Sequence, residues 1–245
     1  MFVAKVFKTI KKKCVFLELF CMYRLLLKVK PSSKQTGKKY YFDIGLHSSA
    51  SELRLVSKWL SNHEVKLVGI EANPKHYCAA LDGLYCPGAN LINVAIVGPE
   101  HVSNKVKMYV DQVGSGLGDT LLEERAIQRK MQHIEVNATR LSILFDELGI
   151  NFHEDIIIIR MNIEGSEVFV LQDLIEAGII SNIDAFMGSW DDAHKISKML
   201  GEQQDKIMNR YSVQPMQFNS RDIKGPFSSL KSHIIKSYLY KVLNI

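Results

Sequence analysis

Short apolar runs alternate with helix-period segments from residue 40 to residue 208, and that rhythm constrains the fold more than any other feature. Residues 40–44, 65–70 and 91–97 read as strands, with helices over 50–60 and 74–81 between them. Pro74 stands where a first helical turn tolerates proline. Strands over 106–110 and 133–138 alternate with helices over 121–131 and 142–148. The run Asp155 to Met161 (DIIIIRM) is almost continuously apolar, as a central strand covered on both faces must be. A helix over 168–177, a strand over 183–187, one long helix over 192–208, a short run over 212–218 and a basic amphipathic helix over 229–243 close the chain. Such alternation predicts an α/β fold, a doubly wound and mostly parallel sheet with right-handed crossovers. Its ligand crevice lies beyond the C-terminal ends of the strands, where strand order reverses.

Charge separates the ends from this body. Residues 1–39 hold eleven Lys and Arg against Glu18 alone, so they carry +10 while the rest of the chain carries −5. A mildly acidic body with a basic arm argues against a nucleic-acid-coating protein, and no nucleic-acid partner is expected. Apolar residues recur through 2–29 at helical spacings with lysines between them, predicting an amphipathic helix or two. Such a helix suits peripheral contact with an anionic membrane, or it packs on the domain. The segment PSSKQTG over 31–37 is the clearest boundary. The expected organisation is therefore a basic arm and linker over 1–38, the α/β domain over 39–220, and a helical extension over 221–245. The apolar run over 14–20 is interrupted by Glu18 and followed by Arg24, and is too short to span a bilayer, so a cytoplasmic location is expected. Cys14, Cys21, Cys78 and Cys86 show no metal-ligand spacing, which predicts buried or half-buried free thiols and no metal.

The strand ends carry the chemistry. The first ends in Phe42-Asp43-Ile44-Gly45 and is followed by small residues Ser48, Ser49 and Ala50; Gly45 permits a sharp turn beside a ligand. The second ends in Gly69-Ile70-Glu71-Ala72-Asn73-Pro74, and a carboxylate there suits the vicinal hydroxyls of a ribose. A dinucleotide site would open on glycine and continue GxGxxG over the pyrophosphate. Here the loop opens on Asp43 and lacks the later glycines, which suits the ammonium end of a methionine moiety better than a phosphate. The segment over 113–118 is Gly-rich and reads as a loop near the site.

These residues resemble the FkbM family of S-adenosylmethionine-dependent methyltransferases. The likeness rests on Phe42 to Gly45, Gly69 to Pro74, Asn93 to Ile96 and, most specifically, Ile159-Arg160-Met161-Asn162-Ile163-Glu164-Gly165-Ser166-Glu167. It covers roughly residues 40–194. The resemblance implies a seven-stranded class I Rossmann-like sheet, S-adenosylmethionine as cofactor, and methyl transfer to a hydroxyl of a glycan or small-molecule secondary-metabolite acceptor. It further implies that Asp43, Gly45, His47 and Ser49 line the methionine end, Glu71 and Asn73 hold the ribose, and Asn93 and Ala95 border the adenine. Asn162, Glu164 and Glu167 would form the acceptor corner. The family usually has Asn and Gly at His47 and Ser49, Lys at Arg160 and an acid at Asn162. Asparagine cannot serve as a base, so Glu164, Asp191 or His47 would take the acceptor's proton, positioning alone would carry the reaction, or the protein binds without turnover.

Overall fold

The computed structural model describes residues 16–34, 36–83, 88–111, 118–219, 224 and 227–245. Its elements run α1 (residues 16–28), β1 (Lys39–Ile44), α2 (Ser51–Leu60), β2 (Val65–Ile70), α3 (Pro74–Gly83), β3 (Asn90–Ile92), β4 (Ala95–Val97) and β5 (Lys105–Val110). They continue as α4 (Glu123–Arg129), β6 (Gln132–Arg140), α5 (Leu141–Glu147), β7 (Ile156–Met161), α6 (Glu167–Glu176), β8 (Ala185–Gly188), α7 (Asp192–Ile196), α8 (Lys198–Arg210), β9 (Met216–Gln217) and α9 (Ser228–Leu243).

The isoleucine run forms the centre of the sheet as its composition requires: β7 is buried at every position. Six strands pair in the order β3-β2-β1-β7-β8-β9, all parallel. The chain winds outward from β1 through β2 to β3, and from β7 through β8 to β9 in the other direction. The reversal therefore falls between β1 and β7. Alternate residues of these two strands feed two cores. Phe42, Ile44, Ile157, Ile159 and Met161 pack against Leu144 and Phe145 of α5 and Val170 and Leu171 of α6. Tyr41, Ile156 and Ile158 face the opposite layer, with Leu53 and Val56 of α2 and Ile235 and Leu239 of α9. Fully burying each such aliphatic side chain is worth about 1.5–3 kcal/mol.

The first and last described helices, α1 and α9, both belong to this second layer. Leu19 and Met22 of α1 are buried in its core, Lys231 Nζ donates to Glu18 Oε1 (2.6 Å), and Lys241 Nζ donates to the Leu26 carbonyl (3.2 Å).

Four expectations need correction. The main sheet has six strands among the described residues, against the seven that the resemblance implies; β4, β6 and β5 form a separate three-stranded sheet. The strand expected over 91–97 breaks into β3 and β4, because Asn93 Nδ2 turns back to the carbonyls of Glu71 (2.7 Å) and Ala72 (3.2 Å). The long helix over 192–208 is interrupted at Ser197, whose φ of −147° and ψ of 128° are extended. Cys21 and Cys78 are exposed rather than buried, whereas Cys14 and Cys86 lie outside the described residues. The Gly-rich loop also lies outside them, save Gly118.

Candidate functional site

At the reversal point the backbone leaves β1 and β7 side by side. Gly45 takes φ 87°, and a Cβ there would collide with the Asn162 carbonyl, so only glycine permits the two strand ends to approach this closely. The Gly45 N–H bonds the Ile70 carbonyl (2.9 Å) and the Asn162 N–H bonds the Ile44 carbonyl (3.0 Å), which fastens the ends of β1, β2 and β7 together. Above them opens a cleft whose empty space is about 680 Å³ when its solvent-filled mouth is counted. Its floor is apolar, made by Ile44, Ile70, Val94, Ile96 and Met108.

Glu71 stands one residue past β2 and lines this cleft. Its Oε2 accepts the His47 N–H (2.7 Å) and its Oε1 the Asn73 N–H (2.9 Å). Those bonds hold the carboxylate still while leaving each oxygen a lone pair for a ligand. Burial raises its pKa, opposed by the two N–H donors. His47 reaches this position with φ 57°, a region that Asn, Asp and His enter more readily than other non-glycine residues. Its ring meets the His76 ring edge to face at 4.5 Å. Burial, then the neighbouring His47, lowers the His76 pKa.

Asp43 is not in the cleft. Residue parity turns it toward the α2 layer, where it is 1 % exposed and its Oδ1 accepts from Arg160 Nη1 at 2.7 Å. Arg160 is its register partner on β7 and also donates to Glu52 Oε1 of α2 (3.0 Å), to the Gly45 carbonyl (3.3 Å) and to the Phe218 carbonyl (3.4 Å). The carboxylate expected at the methionine end is thus a structural ion pair beneath the loop.

The signature segment divides likewise. Asn162 and Glu164 line the cleft. Glu164 has φ 56° and is ion-paired with Arg125 of α4, which also approaches Asp192 (4.0 Å). Burial raises the Glu164 pKa to about 7, and Arg125 opposes that shift. Glu167 is buried outside the cleft; its two oxygens accept the N–H groups of Ile163 (2.8 Å) and Gly165 (2.9 Å). It folds its own loop and is not part of an acceptor floor. Ser49 is exposed, with its hydroxyl toward Ser51 (3.4 Å). Asn93 pins the end of β2 as described, and Asn73 accepts from the Lys75 N–H (3.0 Å) to start α3. Asp191 lies away from the cleft, on a groove beside α1. Gly45, His47, Glu71, Ala95, Asn162 and Glu164 are the expected residues brought together.

Three lining residues escaped the sequence. Asp119 is held by the Asp111 N–H (2.9 Å) and Asn73 Nδ2 (2.7 Å), and follows a segment with no periodic signal. His76 is an isolated histidine on α3. Ser166 is 1 % exposed, and its Oγ has no hydrogen-bond partner among the described residues.

The electrostatics of the cleft are one-sided. Glu71, Asp119 and Glu164 line it, and among the described residues no Lys or Arg does. The N–H groups of Ile163 and Gly165 in the loop ahead of α6 are already taken by Glu167. No family model, curated protein or solved structure matches the chain. The cleft itself therefore carries the functional argument: it suits a ligand with an apolar, hydroxyl-bearing and cationic surface, and opposes a polyphosphate.

Proposed function

We propose that the cleft binds S-adenosylmethionine and that the protein is an S-adenosylmethionine-dependent methyltransferase of the class I type, acting on a hydroxyl of a glycan or small-molecule acceptor. One observation carries this reading: an apolar-floored cleft at the sheet's reversal point, with three carboxylates and no lining cation among the described residues. Glu71 would accept the ribose hydroxyls, with Val94, Ala95 and Ile96 against the adenine. The orphan hydroxyl of Ser166 supports a polar ligand group beside α6, since a buried unpaired hydroxyl costs about 1–3 kcal/mol. When bound, this cofactor supplies a methyl group on a sulfonium, whose C–S electron pair departs with the sulfur. The chain's task is to orient the acceptor oxygen in line and to receive its proton. Glu164 is the lining residue fitted for the second task, because a pKa of about 7 leaves much of it ionised near neutrality. Asn162 beside it can orient a hydroxyl but cannot take its proton.

A second reading, a cofactor-binding or scaffold protein without turnover, is favoured by the Glu164–Arg125 ion pair, which holds the proposed base. Calorimetry with S-adenosylmethionine, S-adenosylhomocysteine and NAD tests the binding. We expect the two adenosyl ligands to bind and NAD to fail; NAD binding alone rejects both readings. Loss of labelled methyl from bound S-adenosylmethionine in the presence of hydroxylated acceptors then separates enzyme from scaffold.

A further inference from the structure

We propose that the outward side of α1 docks on an anionic lipid surface, lying along it rather than crossing it. This inference is independent of what the cleft binds. The helix is apolar on both sides. Leu19 and Met22 face the core, with Leu25 and Leu26 packed against it. The other side presents Phe16, Leu17, Phe20, Tyr23 and Leu27, between 51 and 73 % exposed. Phe16, Phe20, Tyr23 and Leu27 follow one another at helical intervals of four and three, so they form a continuous stripe. A soluble domain seldom leaves such a stripe in water without a use for it.

Charge selects the occupant. Arg24 and Lys28 lie beside the stripe on the same helix, with Lys30 just past it, and the Arg24 guanidinium sits over the Phe20 ring at 5.7 Å. Residues 1–15 add Lys5, Lys8, Lys11, Lys12 and Lys13 and no acid. The arm's single acid, Glu18, is neutralised by Lys231. Pairing two copies through this face would bring two strongly cationic arms together, whereas anionic head groups neutralise them and accept the aromatic side chains between them. No helix among the described residues is long and apolar enough to cross a membrane, which fits a helix lying in the interface.

The test uses the full chain and phosphatidylcholine vesicles with and without phosphatidylserine. We expect cosedimentation only with the anionic vesicles, diminishing as added salt shortens the screening length. Replacing Arg24 and Lys28 by Gln should weaken it about thirtyfold, each cation near such a surface being worth about fivefold. The pair Phe20→Ser and Leu27→Ser should weaken it more than about tenfold by removing the inserted apolar area. All four side chains point away from the core, so unchanged melting temperatures should accompany these losses. Equal binding to both vesicles, or anionic binding indifferent to either pair, overturns the proposal. A vesicle-free dimer that the serine pair abolishes overturns it in favour of a second copy.

Discussion

Asp43 and Glu71 sit at the ends of neighbouring parallel strands, yet they serve opposite ends. Asp43 is the penultimate residue of β1 and keeps the strand's alternation, so it enters the layer beneath the sheet and meets Arg160 in register. Glu71 is one residue beyond β2, free of that alternation, and turns over the crest into the cleft. The first carboxylate answers a buried guanidinium; the second answers two backbone N–H groups and keeps lone pairs to spare. Acidic residues at strand ends are therefore not equivalent, and a shift of two positions in register, from inside the strand to just past it, decides between scaffold and site.

The largest test of that contrast removes the scaffold side. Arg160→Met leaves Asp43 and Glu52 buried and unpaired, and should cost about 3–5 kcal/mol in denaturant unfolding, or prevent folding. Glu71→Gln should instead weaken adenosyl-ligand binding by about tenfold or more, a charge-assisted hydrogen bond being worth about 1.5–3 kcal/mol. Its unfolding free energy should fall by less than that of Arg160→Met. If Glu71→Gln is the more destabilising and leaves affinity intact, the division of labour collapses.

Next in size is the pH dependence. A base at Glu164 must be ionised, so methyl transfer should rise about tenfold per pH unit below its pKa and level off above about 7; Glu164→Gln should remove that rise. Stability should run the other way. Glu164 and Glu167 are both raised from 4.5 to about 7 by burial. Their contribution is complete below about 4.5 and is lost as pH rises through about 7, so thermal melts should shift down over that window. Smallest is Ser166→Ala, which removes an orphan hydroxyl: affinity should drop by about two- to tenfold with stability unchanged or slightly higher.

Periodicity made most of the architecture legible. The isoleucines of β7, the strands on either side of α2 and the parallel winding were all visible as alternation, and Glu71 was visible as a carboxylate just past an apolar run, whereas Asn162 and Glu164 stood out only through the family resemblance. The burial of Asp43 was legible too, since Tyr41 and Asp43 share a parity opposed to Phe42 and Ile44, but a motif reading overrode it. What stayed hidden depends on long-range bonds. Asn93 breaks a strand because of carbonyls 21 and 22 residues earlier in the chain. Asp119 joins the cleft through Asn73, 46 residues away. The opening at Ser197 gives no compositional warning; Gly201 packs so close to the His194 ring that a Cβ would strike it, and the two short helices meet there.

Glu167 has a consequence for what its loop can bind. By seating its own carboxylate on the N–H groups of Ile163 and Gly165, the chain carries an internal anion that closes those amides to any anion from solution. Because that closure uses loop amides that Glu71 does not touch, it can be lost without disturbing Glu71.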